Sequence, residues 1–329
     1  AALSIADHGF EVDLVEQTEK LGGNLTWIKR SLEGHTTDSL LEENFALVEK
    51  HPKIQLHTQS RVVHAIGEVG NFLTTIEGPE KTVHSLKHGV TVLATGGSAA
   101  GTTSYEYGTS PTIITQKEFE QKLSDNSIDP QKLTSVVMIQ CVDSREAPRN
   151  YCSRVCCANA LKQALYLKES NPAIAIYILY RDLMAYGFSE AYYTQARKAD
   201  VIFIQYGVDQ KPTVQAAKDG LEVTVLEPII GQHLQIRPDL LVLATGIVPN
   251  LPQDLVQMFG AALDEDGFFQ EAESKWRPVD SLKEGVFACG LAHSPRNIAE
   301  SITTAEAAAQ RALRILARER IPAGKVFRP

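Results

Sequence analysis

Val92-Leu93-Ala94-Thr95-Gly96 and Val242-Leu243-Ala244-Thr245-Gly246 are the same five residues at two distant places in one chain. Each is a short apolar run that breaks on a glycine, the pattern of a buried strand entering a tight turn. Two such endings point to two related nucleotide-type domains. Gly285-Val286-Phe287-Ala288-Cys289-Gly290 is a third strand running into a glycine turn, and a long helix is expected after it, from about Asn297 to Arg318. These returns predict a discontinuous outer domain at 1–98 and 247–329 around a central domain at 99–246. The fold class expected is α/β.

The opening of the chain supports this. Ala1 to His8 reads as a helix closed by Gly9, and Glu11 to Val15 as a strand followed by Glu16. A helix of small residues, a glycine and a strand ending in an acid make up the second half of a βαβ dinucleotide unit. There the acid holds a ribose hydroxyl pair about 20 residues after a glycine loop. Counting back from Glu16 places that loop, and the strand before it, ahead of Ala1. Leu21-Gly22-Gly23-Asn24 is a further loop whose glycines let backbone approach a flat ligand or a phosphate. A helix is predicted over 38–50, strands over 54–58 and 90–94, and a two-stranded meander over 61–66 and 71–77.

Composition narrows the function classes. With 32 Lys+Arg against 40 Asp+Glu, the net charge of -8 argues against a nucleic-acid binder. No apolar run approaches the roughly 20 residues of a membrane-spanning helix. Four of the five cysteines, Cys141, Cys152, Cys156 and Cys157, crowd one short window. In a large acidic chain this points to metal or redox chemistry in a reducing compartment such as the cytoplasm, not to a disulfide scaffold.

The strand expected at 135–140 runs directly into that window, and a helix is expected from about Cys156 to Lys168. Four thiolates suit a cubane iron–sulfur cluster, with one cysteine per iron. A four-cysteine zinc site, a redox disulfide and unligated buried thiols remain open at this point, although the paired C-x2-C knuckles usual for zinc are absent. Arg145, Arg149 and Arg154 can offset thiolate charge, and a helix start at Cys156 offers its N–H groups to an anionic cluster. Where a two-domain flavin reductase carries a glycine loop for the nicotinamide phosphates, this chain has Cys141-Val142-Asp143-Ser144-Arg145. Bulky residues there disfavour NAD(P)H. Lys162 lies on the same predicted helix, where it can reach a cofactor edge or simply snorkel at the surface. Cys289, in an apolar strand, reads as a small buried hydrophobe.

Taken together, Cys141-Val142-Asp143-Ser144-Arg145 and Tyr151-Cys152-Ser153-Arg154-Val155-Cys156-Cys157 resemble the core of the A subunit of heterodisulfide reductase. Leu21-Gly22-Gly23-Asn24, Gly70-Asn71-Phe72, Tyr180-Arg181-Asp182, Tyr186-Gly187-Phe188 and the run from Gly290 to Ile298 are similar to that family too. The resemblance covers essentially the whole chain. It implies a thioredoxin-reductase-like two-domain flavoprotein with FAD and a [4Fe-4S] cluster. Cys141, Cys152, Cys156 and Cys157 are then the cluster ligands, and Lys162 faces the flavin. Glu16, Gly22, Gly23, Asn24, Thr95, Gly96, Gly290, Asn297 and Ile298 line the FAD site.

By the same resemblance the chain is part of a larger complex, in which it assembles with further copies of itself. It would pass electrons from a hydrogenase or formate dehydrogenase through FAD to a disulfide-reducing partner, to ferredoxin, or to both. A pyridine-nucleotide-disulfide oxidoreductase, a zinc-holding scaffold protein and a quinone-linked membrane-associated relative are the rival readings. Leu291 departs from the wider flavin-reductase pattern, which has an Asp after the closing glycine, so backbone amides must serve there. The ferredoxin-type cysteine runs of many members are also absent from this stretch of sequence.

Overall fold

The computed structural model describes residues 1–217, 220–250 and 253–320. The chain divides into two compact units. The first comprises Ala1–Gly23, Leu40–Gly97 and the chain from Pro249 onward; the second comprises Asn24–Ser39 and Ser98–Val248. Residues 24–39, assigned to the outer domain by the linear reading, therefore pack with the central unit.

The first unit holds helices α1 (Ala2–Asp7) and α2 (Asp38–Lys50, which begins in the second unit's segment) and strands β1 (Val12–Val15) and β2 (Ile54–His57). β3 (Arg61–Glu68), β4 (Asn71–Glu77) and β5 (Val83–His88) form an antiparallel meander. β6 (Thr91–Leu93) follows. β7 (Gly97–Ala99) lies where the chain leaves this unit. β1 pairs with β2 in parallel.

The second unit is built on β8 (Ile113–Thr115), β9 (Ser135–Ile139), β10 (Ala175–Tyr180), β11 (Val201–Gln205) and β15 (Leu240–Leu243). They form one parallel sheet in the order β11-β10-β9-β15-β8. α3 (Gln116–Ser124), α4 (Cys156–Ser170) and α5 (Glu190–Lys198) accompany it. β12 (Thr213–Ala217), β13 (Gly220–Glu227) and β14 (Gln232–Ile236) make a second antiparallel meander.

The chain then passes through β16 (Ile247–Pro249) back to the first unit, with α6 (Gln253–Phe259), β17 (Val286–Ala288) and α7 (Ile298–Leu316). β17 pairs in parallel with β6. The two units thus repeat one plan, parallel strands plus a three-stranded meander, as the repeated Ala-Thr-Gly endings imply.

Central strands read as continuous apolar runs because both faces are covered. Val136, Val137, Met138 and Ile139 of β9 are all fully buried. Val136 and Met138 pack with Ala160, Leu161, Ala164 and Leu167 of α4. Val137 and Ile139 face the meander residues Val223, Val225 and Ile236. In the first unit, Phe287 and Cys289 pack against Ala308, Ala309 and Ala312 of α7. Cys289 is buried there, as its apolar strand predicts. Capping boxes fix two helix starts: Thr115 with Glu118 on α3, and Asn297 with Glu300 on α7.

Candidate functional site

The cysteine motif lies wholly in the second unit. β9 ends, Gln140 continues its ladder to Leu179 O, and Cys141 turns the chain with φ 58°. Asp143 and Arg145 also take left-handed backbone, at φ 49° and 63°. Such conformations cost energy for residues with a Cβ and persist only where surrounding structure enforces them. Here it does. Asp143 accepts from the Thr102 and Ser104 hydroxyls, both at 2.6 Å. Arg181, after β10, donates to Ser144 O at 3.1 Å and Arg145 O at 3.2 Å. Asp182 pairs with Arg145 at 2.5 Å. Arg149 donates to Thr245 O and the Tyr151 hydroxyl to Ile247 O, both at 2.7 Å. The loop is pinned across the carboxyl ends of β9, β10 and β15, where open α/β sheets bind their ligands.

Backbone and guanidinium groups surround the four sulfurs. The Arg145 guanidinium lies beside Cys141 and favours its thiolate. The Arg154 N–H donates to Cys152 Sγ at 3.3 Å. The backbone at Gly246 and at Met184 favours the thiolates of Cys156 and Cys157, and the Cys157 thiol donates to Asp182 O at 3.7 Å. The sulfurs also feel one another's charge: Cys156 responds to Cys157, Cys141 and Cys152, and Cys157 to Cys141 and Cys152. Burial is the dominant influence and pushes the thiols of Cys141 and Cys156 up, and that of Cys157 to about 12. Among the described residues, no three His, Cys, Asp or Glu side chains stand close enough to share a single metal ion. A four-iron cluster needs a wider frame than one ion, because each sulfur binds a different iron.

The expected arginine set changes. Arg149 is directed to a backbone carbonyl and the Arg154 guanidinium to the Tyr186 hydroxyl. The positive charge acting on Cys141 comes from Arg145 and Arg181. Arg181 belongs to the Tyr-Arg-Asp run, so its part in holding the loop is a structural reason for that motif.

Gly246 closes the second Ala-Thr-Gly ending with φ +83°, and a Cβ there would stand 2.6 Å from Ser153 Oγ. That hydroxyl accepts from the Ile247 N–H at 2.8 Å, so it is not free to move away. Gly96, with φ +76°, has only Asn250 Nδ2 near its Cβ position, at 3.6 Å. Gly246→Ala is therefore expected to cost roughly 1–3 kcal/mol more than Gly96→Ala, for which backbone strain alone counts. Denaturant midpoints of the two variants measure the difference, and equal midpoints would contradict the steric argument.

Lys162, on α4, is neither at the surface nor unpartnered. Its Nζ lies 2.9 Å from Glu120 Oε1 and 3.0 Å from Arg30 O, and both charged side chains are only 8% exposed. Glu120 also accepts from Gln163 Nε2 at 3.3 Å and from the Lys29 N–H at 3.2 Å. Nothing in the sequence marks Glu120 as this partner.

The remaining expected residues fall mostly in the first unit. The pairing of β6 with β17 brings Thr95 and Gly96 to the same end as Gly290. Asn250, not anticipated from sequence, holds this turn: its Nδ2 donates to Thr95 O at 3.0 Å, and its N–H to Gly96 O at 3.1 Å. The Thr95 hydroxyl is buried and has no hydrogen-bond partner among the described residues. Gly290 donates its N–H to the Thr304 hydroxyl at 3.1 Å. Asn297 uses its side chain as the cap of α7, accepting from the Glu300 N–H at 2.8 Å. What remains for a ligand at Asn297 and Ile298 is the helix's positive end. Glu16 Oε1 accepts from the Thr18 N–H and hydroxyl, both at 2.8 Å. Gly22 and Gly23 are left-handed, and no atom lies within 4 Å of a Cβ built at Gly23. Asn24 belongs to the second unit, where its Oδ1 accepts from Trp27 Nε1 at 3.2 Å.

No protein-family model matches the chain. Curated whole proteins do. The chain is 27% identical to the second iron-sulfur A subunit of CoB--CoM heterodisulfide reductase of Methanopyrus kandleri, over 96% of its own length and 62% of that protein's. It is 36% identical to the A subunit of Ferredoxin:CoB-CoM heterodisulfide reductase of Methanosarcina acetivorans, over 61% of its own length and 26% of that protein's.

The chain is a homologue of the heterodisulfide reductase A subunit.

It spans about three fifths of the length of the first of these relatives. Among solved structures it is similar to T. acidophilum thioredoxin reductase, with a TM-score of 0.64 and 16% identity, covering 96% of this chain and 94% of that one. Lactococcus lactis thioredoxin reductase gives 0.63 and 15%, covering 96% and 94%. At such identities the likeness is one of fold, and the fold is thioredoxin-reductase-like, as the heterodisulfide reductase resemblance implies. No helix among the described residues is long and apolar enough to cross a membrane.

Proposed function

We propose that this chain is the FAD- and [4Fe-4S]-bearing electron-transfer part of a heterodisulfide-reductase-type complex. The observation that carries the reading is the gathering of four cysteines at the end of β9 and the start of α4, with sulfurs close enough to feel one another's charge and with Arg145 and Arg181 beside Cys141. Donors to sulfur are among the means by which a protein holds and tunes such clusters. Cys141, Cys152, Cys156 and Cys157 would hold the cluster. Glu16, the Gly22-Gly23-Asn24 loop, Thr95, Gly96, Gly290, Asn297 and Ile298 would hold FAD.

The residues of the first unit fit a dinucleotide in kind: a buried hydroxyl without a partner among the described residues, left-handed glycines, and the start of a 19-residue helix. When bound, FAD accepts electrons in pairs and the cluster passes them singly. The protein's own contribution is to bind, orient and bias. The start of α7 favours negative charge. Arg145 and Arg181 favour charge on the cysteine sulfurs. Lys162, by the family resemblance, would steady a reduced flavin, with its ammonium positioned by Glu120.

Cys141 also lines a cleft of about 230 Å³, together with Tyr105, Asp143, Glu146 and Lys211. This offers one side of the loop to a redox partner. Several relatives carry hydrogen, formate or ferredoxin in their names, as in the A subunit of H(2):CoB-CoM heterodisulfide,ferredoxin reductase of Methanothermobacter marburgensis. We infer the corresponding donors and acceptors for this chain: a hydrogen- or formate-oxidising enzyme on one side, a disulfide-reducing protein or ferredoxin on the other.

The test is purification without oxygen, iron and zinc analysis, and a visible spectrum. Flavin bands with a broad iron–sulfur shoulder and close to four irons per chain are expected. Stoichiometric zinc without iron would sink the reading.

A further inference from the structure

Gln140 directly follows β9, one residue before Cys141, and is fully buried. Its backbone is accounted for: the N–H donates to Leu179 O at 2.9 Å, and the carbonyl accepts from the Tyr206 hydroxyl. Its side chain is not. Among the described residues, neither the amide nitrogen nor the amide oxygen has a hydrogen-bond partner. A buried amide left unpaired costs about 1–3 kcal/mol. The four residues before it on the strand are all apolar, so packing alone would favour another hydrophobe here.

The topology says which way the amide points. Successive strand residues alternate faces. Val136 and Met138 pack on α4, so Gln140, two further along an unbroken ladder, shares their face. The crossover from β9 through α4 to the parallel β10 runs the helix back along the sheet, so α4 begins at the carboxyl end of β9. That first turn carries Cys156 and Cys157. The unpartnered amide thus lies at the corner where three of the cysteines enter from β9 and α4.

We propose that the Gln140 side-chain amide is a hydrogen-bond donor to the iron–sulfur cluster and sets its reduction potential. The inference rests on the cluster reading above. Donation to a cluster sulfur favours the reduced, more negative form and raises the potential.

Gln140→Met keeps length and volume but removes the donor, and Gln140→Leu is a second apolar replacement should the first fold poorly. Both are made in the full chain, loaded with iron and sulfide, and titrated against potential with the reduced cluster followed by electron paramagnetic resonance. Iron content equal to wild type is expected. At a fixed potential near the wild-type midpoint, the ratio of reduced to oxidised cluster should fall about tenfold, a shift of ~59 mV downward for one electron. An unchanged midpoint with full iron would overturn the assignment of Gln140 and leave the cluster reading intact. Loss of iron in both variants would overturn it too, by making Gln140 part of the cage and not a tuning donor. Wild-type protein that binds no iron would overturn both readings together.

Discussion

Glu120→Ala is expected to lower the stability of the second unit by about 3–5 kcal/mol, the usual consequence of removing one partner of a buried ion pair. Glu120 and Lys162 are each 8% exposed, with 2.9 Å between Nζ and Oε1. Removing the carboxylate would strand an ammonium with only Arg30 O beside it, and would also leave Gln163 Nε2 and the Lys29 N–H without the acceptor they share. The loss is predicted to concern charge more than volume. A Glu120→Ala/Lys162→Met double variant should therefore recover most of it, because apolar replacement of both partners is often neutral or stabilising. Chemical denaturation of the wild type, both single variants and the double variant gives the coupling energy directly. A Glu120→Ala loss below about 1 kcal/mol would mean that water reaches Lys162 and that the pair is not buried in solution.

This pair also marks where sequence reading stops. Glu120 and Lys162 lie on different helices, α3 and α4, and only the tertiary fold brings them together. Local patterns are legible where one signal dominates. α2 matches the predicted 38–50, and β4 matches 71–77, because periodicity and turn glycines agree there. β9 is legible as a continuous apolar run. β5 escapes a sequence reading because Val83-His84-Ser85-Leu86-Lys87-His88 is mostly exposed and carries little alternation. β8 escapes it because it is three residues long, and its strand character comes from pairing with β15. At the candidate site the cysteines are legible by type and crowding. The surroundings of their sulfurs are not: the backbone of Gly246, Met184 and Asp182 lies beside them, which no side-chain pattern announces. Arg149 shows the converse, a plausible charge partner that the fold turns toward a carbonyl.

Cys157→Ser should remove more than half of the bound iron while leaving FAD in place. Cys157 is the second residue of α4 and is buried, with its sulfur 3.7 Å from Asp182 O. A serine hydroxyl is a poorer ligand for iron than a thiolate, and the helix start fixes the side chain too firmly for a neighbour to take its place. FAD retention follows from the division of the chain, since Cys157 belongs to the second unit and nearly all the proposed flavin residues to the first. The control is Cys289→Ala. Cys289 is equally buried, but it packs with Phe287 and Ala308 in the first unit's core. Its loss should cost a little stability and no iron. Colorimetric iron and flavin absorbance on the two variants, prepared side by side, separate the cases. Full iron in Cys157→Ser would take that sulfur out of the ligand set. Equal iron loss in both variants would show that iron tracks general stability and not the four-cysteine loop.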